Sequence, residues 1–187
     1  MNLKQLVIMT LFLACACINS NAQTARMFLD TTIVKLSILN QNTQTSLPLN
    51  LAKREKGNDG FDYLQFYNKD KSEILILTLL PEAPISLVEY TMYYAPSDHS
   101  FANLQATLIT HFVSGKGIRL GLSKRSVLKI LGSPSEIDST TNRIYYRNDD
   151  PQSVVLSRYG AKEYLAWYRF RNSRLFEVSV QLFLREK

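Results

Sequence analysis

The chain has 187 residues, a formal net charge of +6 and only two cysteines, Cys15 and Cys17. Both cysteines fall inside the first apolar stretch, which excludes a disulfide framework or thiol chemistry for everything that follows it. Past residue 22 the charge divides unevenly: residues 23–114 hold 7 basic and 9 acidic side chains, residues 115–187 hold 14 and 7, so a net −2 gives way to a net +7. A basic half can steer anionic partners towards itself, and it can equally do no more than keep a sheet surface soluble.

Lys4 precedes an apolar run over residues 6–18, which leads into Asn19-Ser20-Asn21-Ala22. That is the layout of a signal peptide, and Ser20 and Ala22 at the small-residue positions predict cleavage before Gln23. The run is shorter than the roughly 20 apolar residues that a bilayer span needs. We therefore expect an exported protein, periplasmic or extracellular. The alternative is a lipid-anchored outer-membrane lipoprotein, because Ala14 precedes Cys15 and Ala16 precedes Cys17 as a lipidation motif would have it, although Phe12 fits that motif poorly. Contact with a membrane is expected only if Cys15 or Cys17 is lipidated, and export argues against nucleic acid as a partner.

Residues 31–39, rich in β-branched side chains, read as a first strand, and residues 40–60, polar and punctuated by Pro48 and Gly57-Asn58-Asp59-Gly60, as a long loop. Four more strands are expected over residues 61–67, 73–80, 87–94 and 104–114. Residues 68–71 make a polar turn between the first two of these, which predicts an antiparallel hairpin. The unbroken apolar run 74–80 predicts a strand buried on both faces. Ser123 is a good cap for a short helix with Val127, Leu128 and Leu131 on one stripe, and Gly132 and Pro134 end it. Strands over 143–147, 153–159, 164–170 and 175–184 follow. The fold class is thus α+β: an antiparallel β-sheet meander with a short helix packed on one face, preceded by a strand-rich N-terminal half.

Gly117-Ile-Arg-Leu-Gly121, Ser123, Val127, Leu131-Gly-Ser-Pro134, a Tyr-rich strand and the hairpin 170–175 occur in order. Over residues 115–184 this pattern resembles the SmpA/OmlA (BamE-like) and β-lactamase-inhibitor-protein-like superfamily of small exported domains. The resemblance implies a helix ending in a Leu-Gly-x-Pro turn on one face of a curved antiparallel sheet, and protein binding rather than catalysis. Three segments result: a leader at 1–22, a strand-rich half at 23–114 and the helix with its meander at 115–187, the last two packed as one compact unit.

No catalytic, metal or cofactor site is expected. Asp98-His99-Ser100 holds triad residue types, but adjacent side chains diverge and the tripeptide reads as a turn; His111 beside Phe112 reads as a structural histidine. Two histidines without His-x-His or His-Glu-x-x-His spacing are a weak metal signal, and the pairs Asp149-Asp150 and Asp59/Asp62 read as turn residues. Strand alternation puts Ala166, Tyr168 and Phe170 on one face and Trp167, Arg169 and Arg171 on the other. If Ile144 and Tyr146 point inward, then Arg143, Tyr145 and Arg147 join the second face. In the next strand Phe176, Val178, Val180, Leu182 and Leu184 are expected to line the face that carries the helix.

Trp, Tyr and Arg on an open sheet have the composition of a protein-interaction surface. The expected function is a non-enzymatic envelope module that binds a protein partner through Arg143, Tyr145, Arg147, Trp167, Arg169 and Arg171. The alternative is a module for an anionic small molecule or envelope glycan. Trp167 stays accessible if the first half extends the sheet and is buried if that half folds over it, and the run of charges beside it favours an accessible ring.

Overall fold

The computed structural model describes residues 29–37, 45–81 and 86–185. The expected leader and cleavage site, with Cys15 and Cys17, lie outside these residues, as do residues 38–39 of the first expected strand. Among the described residues no helix is long and apolar enough to cross a membrane.

The fold is α+β, a large and mostly antiparallel sheet with two short helices. Its path runs β3 (Glu55–Lys56), β4 (Asp62–Tyr67), β5 (Glu73–Leu79), β6 (Leu87–Tyr94), β11 (Arg174–Leu184), β10 (Ala161–Arg171), β9 (Arg143–Asn148), β8 (Glu136–Asp138). A ninth strand, β7 (Gln105–Ala106), pairs parallel with the outer end of β4. β1 (Thr32–Ile33) and β2 (Leu36–Ser37) form a separate hairpin. The first half of the chain therefore extends the sheet sideways from β11.

The β4–β5 hairpin forms as its sequence predicts. Its turn is tied by Asn68, whose side chain accepts from the Glu73 amide at 2.9 Å and donates to the Thr110 carbonyl at 2.8 Å. β5 is buried at every position except Ile76, as expected of the apolar run. Helix α1 (Lys124–Leu131) is capped by Ser123, whose Oγ accepts from the Ser126 amide at 3.1 Å. Gly132 at φ 84° ends it, returning its amide to the Leu128 carbonyl. Val127 and Leu131 are the buried stripe.

The core lies on one face of the sheet. Leu64, Phe66, Leu75, Leu77, Tyr90, Met92, Val178, Val180, Tyr168 and Ile144 point into it from the strands, and Ile33, Leu36, Phe112, Ile118, Val127, Leu131 and Leu156 cover them. The cover is thus the β1–β2 hairpin, the segment 112–120 and both helices.

Several expectations need correction, among them the loop expected over residues 40–60, which holds β3 at Glu55–Lys56. Residues 31–37 do not make one strand: the chain reverses at Val34 and Lys35, both left-handed at φ 47° and 64°, and the turn is held by a bond from the Val34 amide to the Val113 carbonyl. A tertiary anchor overrides β-propensity there. Residues 104–114 form a strand only at Gln105–Ala106, with one isolated bridge from Ser114 to Ile33; the rest is irregular, with Phe112 plugged into the core. Residues 154–159 form a helix, α2 (Val154–Tyr159), not a strand. Ser153 caps it, Gly160 closes it in the left-handed region at φ 61°, and only Leu156 is buried, so one inward residue sufficed to set the period. Finally, a bulge between Arg169 and Phe170 pairs Phe170 with Leu175, turning Leu175 into the core and leaving Phe176 outside, the reverse of the alternation read from sequence.

Candidate functional site

Register determines which side chains share the outer face. One row crosses seven strands: Asp138, Arg143, Arg169, Glu177, Tyr93, Ile74 and Tyr67. The next row holds Glu136, Tyr145, Trp167, Ser179 and Thr91. A third brings Arg147 beside Leu165 and Gln181. All six residues singled out from the sequence lie on this face, but in three places. Arg143, Tyr145, Trp167 and Arg169 cluster at the centre of the C-terminal strands, Arg147 lies towards one end of β9, and Arg171 stands beyond the last β9 pairing, opposite Arg174.

Trp167 is half-buried, with the Arg143 guanidinium 4.7 Å from its ring centroid. Arg143 sits opposite Asp138 across the β8–β9 ladder, and its Nε is buried without a hydrogen bond among the described residues. Arg169 pairs with Glu177 at 3.2 Å, and Arg147 with Glu163 at 2.8 Å and Asp149 at 3.5 Å. Acids on the same face thus pair with two of its arginines, Arg147 and Arg169, so the face is less basic than the charge of residues 115–187 suggests. Pairs this exposed add little stability; they hold long side chains in place.

The charge that remains lies at the β10–β11 turn. Asn172 and Ser173 are both left-handed, at φ 49° and 60°, which makes a two-residue hairpin turn of the primed type. Arg171 and Arg174 flank it as a directly opposed pair, and both are exposed. Beside them a cleft of about 650 Å³ opens between the end of β6 and the hairpin, walled by Tyr93, Tyr94, Pro96 and Phe176. The sequence reading missed Phe176 and Arg174. The two-residue turn Asn172-Ser173 was a usable signal for the Arg171–Arg174 register; the bulge that exposes Phe176 left none.

The histidines are placed differently. His111 Nδ1 lies 2.8 Å from the buried Glu73 carboxylate, whose other oxygen accepts from the Phe112 amide at 2.8 Å. His99 packs edge-on against Phe101, with Nε2 buried and without a hydrogen bond among the described residues. Neither imidazole hydrogen-bonds a hydroxyl among the described residues. Of the expected turn carboxylates, Asp59 accepts from the Phe61 amide and Asp150 from the Gln152 amide. Asp62 instead is a buried strand residue bound to Arg54 at 2.6 Å.

Under the inner face lies a polar cluster that no sequence pattern announced. Asp30 is 1% exposed and accepts from Ser114 Oγ and, at 3.3 Å, from the Lys116 amide. Its own amide donates to the Tyr164 hydroxyl at 3.1 Å. Burial pushes the Asp30 carboxyl up to about 6 in spite of those donors. The hydroxyls of Tyr90 and Tyr168 are buried nearby, that of Tyr90 with no hydrogen-bond partner among the described residues, and burial drives both phenols well above their ordinary pKa.

No protein-family model, curated protein or solved structure matches the chain.

Proposed function

We propose that the protein is a non-enzymatic module, exported to the cell envelope, that binds another protein on the outer face of its sheet. The leader over residues 1–22 and the resemblance over 115–184 motivate the export and the class. The observation that carries the docking reading is the Trp167–Arg143 stack beside Tyr145. A large ring with a guanidinium over it offers contact area and directional donors together, and the pairing of Arg169 to Glu177 limits the rotamer entropy lost on contact.

The test is site-specific photo-crosslinking in cells from position 145, with position 108 on a fully solvated loop as control. A discrete adduct from 145 alone, lost when Trp167, Arg169 and Arg171 are replaced by Ala while the melting transition is retained, supports the reading. An adduct that survives the triple replacement refutes it.

A further inference from the structure

Directly opposed like charges on a hairpin destabilise it, because cross-strand neighbours sit within about 5 Å at Cβ. Arg171 and Arg174 are such a pair. Neither has a carboxylate partner among the described residues. Arg171 stacks on Phe176 at 4.4 Å, and Arg174 makes one bond, from Nη1 to the Gly121 carbonyl at 3.3 Å. The nearest acid in the cleft, Glu177, is engaged by Arg169. Two arginines at opposed positions, each with donors to spare, therefore line a cleft of about 650 Å³. That volume lies within the range of small-molecule sites. Its walls are the rings of Tyr93, Tyr94 and Phe176.

We propose that this cleft binds a phosphate monoester carried on a ring, with Arg171 and Arg174 sharing the phosphoryl oxygens and the three aromatic side chains flanking the ring. Two opposed cations are offset best by one dianion, and the guanidinium fork matches phosphoryl geometry. The apolar wall gives the ring a place that inorganic phosphate cannot use. This cleft adjoins the Trp167 cluster through Arg169, which touches both Phe176 and Glu177, but its ligand binding does not depend on a protein partner.

The experiment is isothermal titration of the purified chain with phenyl phosphate, inorganic phosphate and phenol, repeated on Arg171→Gln, Arg174→Gln and, as a charge-matched control, the exposed Arg125→Gln. Saturable binding of phenyl phosphate is expected, weakened about tenfold or more by either hairpin substitution, the loss of one charge-assisted contact, and unchanged by the control. Inorganic phosphate should bind more weakly and phenol not measurably. Both hairpin variants should melt at or above the parent temperature, since each relieves a like-charge pair. The proposal is overturned if phenyl phosphate does not saturate at millimolar concentration, if Arg125→Gln weakens it equally, or if inorganic phosphate binds as tightly as the ester.

Discussion

Replacing Asp30 by Asn probes the buried cluster through its pH dependence. Asp30 ionises near 6 in the folded protein against an ordinary 3.8. A tenfold change in proton affinity is worth about 1.4 kcal/mol, so the rise amounts to about 3 kcal/mol. The sign follows from proton counts. Below about pH 4 the folded and unfolded chains both hold the proton. Between about 4 and 6 the unfolded chain loses it while the folded one keeps it, so stability falls as pH rises, and above 6 the loss is complete. Asn does not titrate, so the variant lacks this loss. It has a fixed penalty instead, because Ser114 Oγ and the Lys116 amide approach different oxygens of Asp30, and an amide side chain can accept only one of them. That penalty is about 1 kcal/mol and independent of pH. Urea unfolding of both chains at pH 4, 5, 6 and 7, followed by the fluorescence of the single tryptophan, should show Asp30→Asn slightly less stable at pH 4 and about 2 kcal/mol more stable at pH 7. A difference that stays flat across this window, or that moves the other way, refutes the assignment of a buried, ionisable Asp30.

Trp167→Ala should cost about 1 to 2 kcal/mol by urea unfolding, below the 3 to 5 of a fully buried aromatic, and acrylamide should quench Trp167 emission. Tyr90→Phe removes an orphaned buried hydroxyl and should raise stability by about 1 kcal/mol, measured by thermal melting; destabilisation would mean that the hydroxyl has a partner. Gly115→Ala would place a Cβ 2.7 Å from Thr32 Cβ, so it should destabilise by about 1 to 3 kcal/mol in the same assay.

The elements read correctly from sequence are those fixed locally: the capped helix α1, the β4–β5 hairpin with its polar turn, and the doubly buried β5. The misread ones depend on distant partners. Val34 and Lys35 reverse because the Val113 carbonyl takes an amide there. Residues 154–159 carry apolar side chains at 154, 155, 156 and 159 that fit a strand or a helix, and their caps decided for the helix. The outer face was legible because alternation in β9 and β10 is regular, whereas its neutralising acids became apparent only once strand register brought Glu177 and Asp138 beside arginines. Asp30 was invisible, since its burial depends on Ser114 and Tyr164, far along the chain.

β11 comes last among the described strands yet lies between β10, which pairs along its length, and β6, which pairs with it over residues 177–181. Without residues 174–184 the sheet would divide into β3–β6 and β8–β10, each with its apolar face only partly covered. Closing the ladder must await a pairing such as Glu177 with Tyr93, so the rate-limiting step should carry a high contact order. Once closed, neither half can release β11 without giving up a central strand, which couples their unfolding. The amides of Val178 and Val180 should then be among the slowest to exchange with solvent, opening only when both halves open together.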